Sequence, residues 1–248
     1  MPPELTGPES IRLARSNWRR SQIIEAALRL LETTGFHQMS VNELAKEAGI
    51  SVGTIYQYVK NKGDILQLVI EDILDAYAEQ VPAAMAGIDD PVERLSAGFI
   101  AYCRVVDGRR AVTTLGYRES RSLDRDGLQR VMHLEEETTK LLVACLDEGV
   151  DSGALIEHDT DLTAWNLILL AHMWSLKHWH FAQGRSVDDY AWAQLALMLR
   201  AVINPDAERK YARLLELPGT SAVRPRSTAT PRPHASLGPT TPEASRHV

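Results

Sequence analysis

At 248 residues, with 44% hydrophobic and 24% charged residues, the chain is long enough to bury a substantial core and has the balance of a soluble globular protein. Its two cysteines, Cys103 and Cys145, are too few and too isolated for a disulfide framework or a cysteine metal site, which points to a reducing cytoplasm. The net charge of −6 is divided unevenly: residues 1–62 hold eight Arg or Lys against six Asp or Glu, and the 186 residues after them hold 19 against 27. Positive charge therefore collects at one end of an acidic protein, as attraction to phosphates requires, although a solvated helix start explains it equally.

Residues 1–16 read as a flexible arm. MPPELTGPES is polar and carries no leader pattern, and Ile11 to Arg20 holds Arg12, Arg15, Arg19 and Arg20 with no acid. A first helix is expected from about Trp18 to Thr34, with Ile24, Ala27, Leu28 and Leu31 on its core face. Gly35 supplies a left-handed end and Phe36 folds back on Leu31. Residues 40–62, SVNELAKEAGISVGTIYQYVKNK, read as two short helices around a tight turn. Ser40 and Glu43 have the spacing of a capping box, Val41, Leu44, Ala45 and Ala48 share one face, and Gly49 ends the helix. Ser51 caps the next helix, where Val52, Ile55 and Val59 form a buried stripe.

The opposite face of that second helix carries Gly53, Thr54, Gln57 and Tyr58: small, hydrogen-bonding or aromatic, and uncharged. Such a face suits a groove better than solvent, and the pair reads as a helix-turn-helix. Thr54, Gln57 and Tyr58 are the candidates for base edges and phosphates, with Gln57 suited to adenine and Tyr58 to a thymine methyl or a phosphate. Ser40, Ser51, Gly53 and Lys62 complete the candidate DNA surface, Ser40 and Lys62 as phosphate contacts. Tyr56 falls near the buried stripe on a helical wheel.

The string GISVGTIYQYVKNK, with the preceding RRSQIIEAALRLLETTGF, resembles the DNA-binding motif of the tetracycline-repressor (TetR) family over residues 17 to about 80. That resemblance implies a Tyr56 hydroxyl within reach of a phosphate, a second helical region holding a small molecule, and a four-helix dimer interface built from the last two long helices of each subunit.

Beyond the motif, a longer helix is expected from Lys62 to about Gln80, capped by Asn61 and Asp64, with Pro82 and Gly87 to Pro91 marking the boundary of a second region. Helices are expected over Val92 to Val106, Arg109 to Tyr117, Arg125 to Gly149, Asp159 to Ala182 and Val187 to Ile203, with no strand pattern. The apolar run from Leu162 to Phe181 is broken by Asn166, His172, Ser175, Lys177, His178 and His180, which excludes a membrane span. The last two helices are apolar on both sides, and a partner subunit is the economical cover. A two-fold dimer predicts a palindromic operator whose half-sites lie about 34–36 Å apart. From Leu217 onward Pro, Ser, Thr, Ala and Arg dominate, and residues 217–248 are expected to be a disordered tail.

Tyr102, Tyr117, Arg118, His133, Trp165, His172, Trp174 and Lys177 are candidates to line a ligand pocket, with packing and dimer contacts as the competing reading of each. The phrase LILLAHMWSLKHWHF resembles the corresponding helix of the fatty-acid and steroid catabolism branch of the family, which implies an acyl-CoA ligand. Arg94, Arg104, Arg109, Arg110, Arg118 and Arg121 suit a CoA phosphate or simply a solvated surface. His172, His178 and His180 point to different sides of a helix and do not suit one metal ion. No nucleophile elbow, phosphate loop, HExxH or glycine-rich dinucleotide turn is present.

The expected protein is all-α. A three-helix helix-turn-helix domain at 17–80 precedes a ligand-binding and dimerisation bundle at 81–216. It is a cytoplasmic, non-enzymatic, ligand-responsive repressor that needs no cofactor, its partners being an operator, a second copy of itself and a small effector. A constitutive DNA binder is the alternative, and a helical enzyme using the bundle pocket a remote one.

Overall fold

The structure is a computed structural model in which residues 8–217 are described, with side chains from Ala14 onward. The described chain folds into helices α1 (Pro8–Thr33), α2 (Val41–Ala48), α3 (Val52–Ile55), α4 (Lys62–Met85), α5 (Pro91–Gly108), α6 (Arg110–Glu119), α7 (Arg125–Asp151), α8 (Thr160–Leu176), α9 (His178–Phe181), α10 (Val187–Val202) and α11 (Ala212–Leu215). Short 3-10 turns at Ser120–Ser122 and Pro205–Ala207 and one isolated β-bridge between Leu155 and Ile203 complete it. The fold is all-α, and among the described residues no helix is long and apolar enough to cross a membrane.

The helix starts are written in short-range chemistry. The Ser40 hydroxyl accepts the Glu43 amide at 3.2 Å, and the Glu43 carboxylate accepts the Ser40 amide at 2.9 Å. Asn61 and Asp64 repeat this box at α4, and Ser186 and Asp189 repeat it at α10. Asp90, Asp124 and Asp159 cap α5, α7 and α8. Gly49, at φ 65°, turns the chain out of α2 in the left-handed conformation that a side chain would resist.

Three boundaries differ from expectation. Helix α1 begins at Pro8, so residues 8–16 belong to a helix rather than to an arm; Pro favours a first helical turn, and the Arg, Leu and Ala that follow are good helix formers. Residues 1–7 and the tail from 218 onward lie outside the described residues. Helix α4 runs through Pro82 to Met85, because Val81 and Met85 are buried in the core and hold its last turn in place. Helix α8 stops at Leu176 instead of continuing to Ala182. Buried Ser175 there donates to the Arg110 carbonyl at 2.7 Å and lies 3.1 Å from the Thr114 hydroxyl, tying the end of α8 to α6.

A single buried cluster runs from Ile23, Leu44 and Ile55 at the DNA-binding end to Phe99, Leu146 and Leu195 in the bundle. Helix α4 is the link: it packs on α1 at one side and on α5, α6 and α7 at the other. On the outside of α8 and α10, Leu162 and Leu197 are 57% and 56% exposed, and Leu169 of α8 is exposed as well.

Candidate functional site

The helix-turn-helix presents a small surface whose polar atoms are partly committed. The Ser51 hydroxyl accepts the Thr54 amide at 3.1 Å and lies 2.8 Å from the Thr54 hydroxyl, so these two side chains hold each other. Gln57 is exposed, and its side-chain amide makes no hydrogen bond among the described residues. Gly53 is exposed, and a β-carbon there would meet only the Ser51 hydroxyl, at 3.9 Å. Lys62 donates to the His37 carbonyl at 2.5 Å and lies 5.0 Å from the centre of the Phe36 ring, which leaves two ammonium protons for a phosphate.

The two tyrosines exchange the positions expected from a helical wheel. Tyr56 is 54% exposed, whereas Tyr58 is half-buried and packs on the core. Helix α3 tightens after Ile55: the Tyr58 amide bonds the Ile55 carbonyl at 2.9 Å, a 3-10 spacing that stacks residue i+3 over residue i. Tyr58 therefore follows Ile55 inward and Tyr56 turns out.

In the bundle, α4, α6, α7 and α8 frame a half-open cavity of about 270 Å³. Ile70, Ile73 and Leu74 of α4, Val112 of α6 and Val131 of α7 form apolar walls, and exposed Tyr117, Leu128 and Met132 stand at its mouth. The polar end centres on His172 of α8. Its Nε2 lies 3.0 Å from the Tyr102 hydroxyl and its Nδ1 lies 2.9 Å from the Tyr117 hydroxyl, while Tyr77 stacks on Tyr102 with ring centres 4.0 Å apart. Burial lowers the His172 pKa to about 4, so the ring is neutral near pH 7 and its one N–H and one lone pair are both in use. Glu135 of α7 also lines the cavity; burial raises its pKa, and its carboxylate makes no hydrogen bond or ion pair among the described residues.

Of the expected pocket residues, Tyr102, Tyr117 and His172 come together here. The others do not. Trp174 is buried with its indole N–H donated to Asp107 at 2.8 Å, and His133 and Lys177 are exposed. Trp165 lies on a separate surface groove with Glu136 and Lys140, and exposed Arg118 lies on another. Neighbouring helical positions alternate quickly between core and surface, and composition alone does not say which side each takes. Sequence reasoning missed Tyr77, Thr113 and Glu135. A signal for Glu135 was present: Leu128, Val131, Glu135 and Leu142 have the spacing of one helix face, so the acid falls within an apolar stripe.

The arginines proposed for a CoA phosphate are mostly engaged. Arg104 pairs with Asp188 at 2.8 Å, Arg109 with Asp72 at 2.8 Å and Arg110 with Asp107 at 2.5 Å, and Arg94 pairs with Glu148. Arg118 and Arg121 are exposed and make no ion pair among the described residues.

Helix α6 touches both sites. Its Glu119 carboxylate, buried, meets His37 Nε2 at 3.1 Å in the loop before α2. Next to it, the Ser122 carbonyl sits so close to Gly63 that a β-carbon there would lie 3.1 Å away. The segment that lines the cavity through Val112, Gly116, Tyr117 and Ser120 thus rests against the loop and helix that frame the recognition helix.

Two family models match the chain: bacterial regulatory proteins of the tetR family over residues 23–69, and a tetracyclin repressor-like C-terminal domain over residues 88–202. The HTH-type transcriptional regulator HbdR of Aromatoleum sp. (strain CIB) is 33% identical over 196 residues, covering 79% of this chain and 86% of that protein. The transcriptional regulator FadR from Bacillus subtilis, solved in complex with stearoyl-CoA, superposes with a TM-score of 0.61 at 23% identity, over 72% of this chain and 96% of that one. AibR, solved with isovaleryl coenzyme A and operator DNA, superposes at 0.61 with 20% identity, over 75% and 98%.

Proposed function

The chain belongs to the TetR family of DNA-binding bacterial transcription regulators, and we propose that it is a homodimeric repressor released from a palindromic operator by a small apolar effector. The observation that carries this reading is the position of α6 and the 3-10 turn after it: they line the cavity at one part and abut the DNA-binding end through Glu119 and Ser122 at another. An effector that wedges α6 away from α7 displaces the support of His37 and Gly63, and with it the spacing of the two recognition helices. A difference in effector affinity between the two states of about 2–3 kcal/mol gives a 30- to 150-fold change in DNA binding.

On this reading Tyr56, Gln57, Thr54 and Gly53 face the major groove, while Ser40, Ser51, Tyr58 and Lys62 border the phosphates. The exposed Leu162, Leu169 and Leu197 of α8 and α10 supply an apolar face for a second subunit. Relatives solved with acyl-CoA support an effector with an acyl chain, and the apolar walls of the cavity suit one. The cavity also disfavours a constitutive regulator, whose bundle would be filled.

Selection of bound fragments from sheared genomic DNA tests the proposal. A shared palindrome with half-sites about one helical turn apart is expected. Absence of any enriched sequence at moderate salt contradicts it.

A further inference from the structure

The polar groups of the α4–α6–α7–α8 cavity are unequally committed. His172 has both nitrogens bonded to tyrosine hydroxyls and, with its pKa lowered to about 4 by burial, offers a ligand no charge near pH 7. No Arg or Lys lines the cavity among the described residues. Glu135 stands apart from both facts. It faces the cavity beside Val131 and Met132, and its carboxylate has no donor; the Thr139 hydroxyl bonds its backbone carbonyl instead, at 2.8 Å. Glu135 is half-buried and is the charged side chain that lines the cavity among the described residues, so a ligand that brings a donor meets an acceptor with no protein partner.

We propose that Glu135 is the specificity-determining residue of this cavity, selecting apolar molecules that present a hydroxyl or a protonated amine and excluding free carboxylates. The inference rests on the cavity being the effector site. An ammonium gains a charge-assisted hydrogen bond to Glu135, and a hydroxyl gains a bond to a charged acceptor. A free carboxylate meets a like charge with no Arg or Lys lining the cavity to offset it. A thioester or amide carbonyl, which only accepts, gains nothing from Glu135. At about 270 Å³ the cavity lies at the small end of ligand sites, so it suits a medium-length chain or a single ring.

The test uses 1-octanol, octylamine and octanoate, titrated calorimetrically near neutral pH into the full-length protein and into Glu135→Gln and Glu135→Leu. The wild type is expected to bind octanol and octylamine at least roughly tenfold more tightly than octanoate. Glu135→Leu loses the preference and binds octanoate no worse than octanol. Glu135→Gln keeps octanol, since its amide oxygen still accepts, and loses the advantage of octylamine. If Glu135→Leu fails to fold, the octylamine arm with Glu135→Gln decides. Equal binding of all three probes by the wild type, or ratios unchanged in the variants, overturns the role of Glu135 and leaves the effector site standing. Binding of none of them overturns the effector site and this inference together.

Discussion

In the helix-turn-helix, Ser40 bonds Glu43, Ser51 bonds Thr54 and Asn61 bonds Asp64, each across three residues. In the bundle, Tyr117 and Tyr102 reach His172 across 55 and 70 residues, and Trp174 reaches Asp107 across 67. The first region caps its helices within one turn, while Gln22, Arg29 and Lys62 tie its helices together across 18 to 26 residues. The second holds its polar centre together only when several helices are all in place, so a molecule inserted between them alters the arrangement. A rigid reader is thereby joined to a deformable sensor, and the shared helix α4 ties them into one core.

Core truncation tests that union with the largest expected effect. Phe99 is fully buried at the centre of the cluster, and Phe99→Ala is expected to cost about 3–5 kcal/mol. Circular dichroism and tryptophan fluorescence should still report one coincident thermal transition at a lower temperature. Two transitions, with the DNA-binding end unaffected, would separate the regions that the core joins.

Acidification, compared between wild type and a His172 variant, probes the polar centre of the bundle. His172 resists protonation down to about pH 4, whereas the unfolded chain takes up that proton near the ordinary value of about 6.5. Stability is therefore lost as the pH falls from about 6.5 to 4, by up to about 3 kcal/mol. The raised pKa of Glu135 acts in the opposite direction, but it is common to both proteins when wild type is compared with His172→Phe. The expected result is a shallower loss of stability on acidification in His172→Phe, and equal slopes would refute the buried neutral ring.

The two tyrosines sharpen the DNA-binding side. Tyr56→Ala is expected to weaken operator binding by about 1–3 kcal/mol in a titration while leaving the melting temperature unchanged, since the ring stands in solvent. Tyr58→Ala is expected to cost about 1 kcal/mol of stability through lost packing. Reversed outcomes would restore the helical-wheel assignment of these residues.

What was legible in the sequence follows the same division. The caps at Ser40, Ser51 and Asn61, the turn at Gly49 and the stripe of Ile55 and Val59 rest on neighbours a few residues away, so their spacing reveals them. Tyr56 and Tyr58 escaped because an ideal wheel takes no account of a turn that tightens after Ile55. The cavity was partly legible through Tyr117 and His172, which line it, and Tyr102, which backs His172. Trp165, Trp174, Arg118, His133 and Lys177 were not separable from them, because pairing with Asp107 or a place on an outer groove depends on helices far away in the chain. The break after Leu176 carries no Gly or Pro, so no local pattern announces it; Ser175 there bonds the Arg110 carbonyl, a partner 65 residues away.

The coupling between cavity and recognition helix can be tested without knowing the effector. Gly116 lines the cavity on α6, and a β-carbon placed on it meets nothing within 4 Å. Gly116→Phe therefore fills the cavity from within and imitates a bound molecule. The decisive measurement is its equilibrium affinity for the operator fragment recovered by selection, with melting temperature as the control for folding. A folded variant that binds roughly 30- to 150-fold more weakly than wild type is the expected result. A folded variant that binds the operator as tightly as wild type, or more tightly, would contradict the release mechanism.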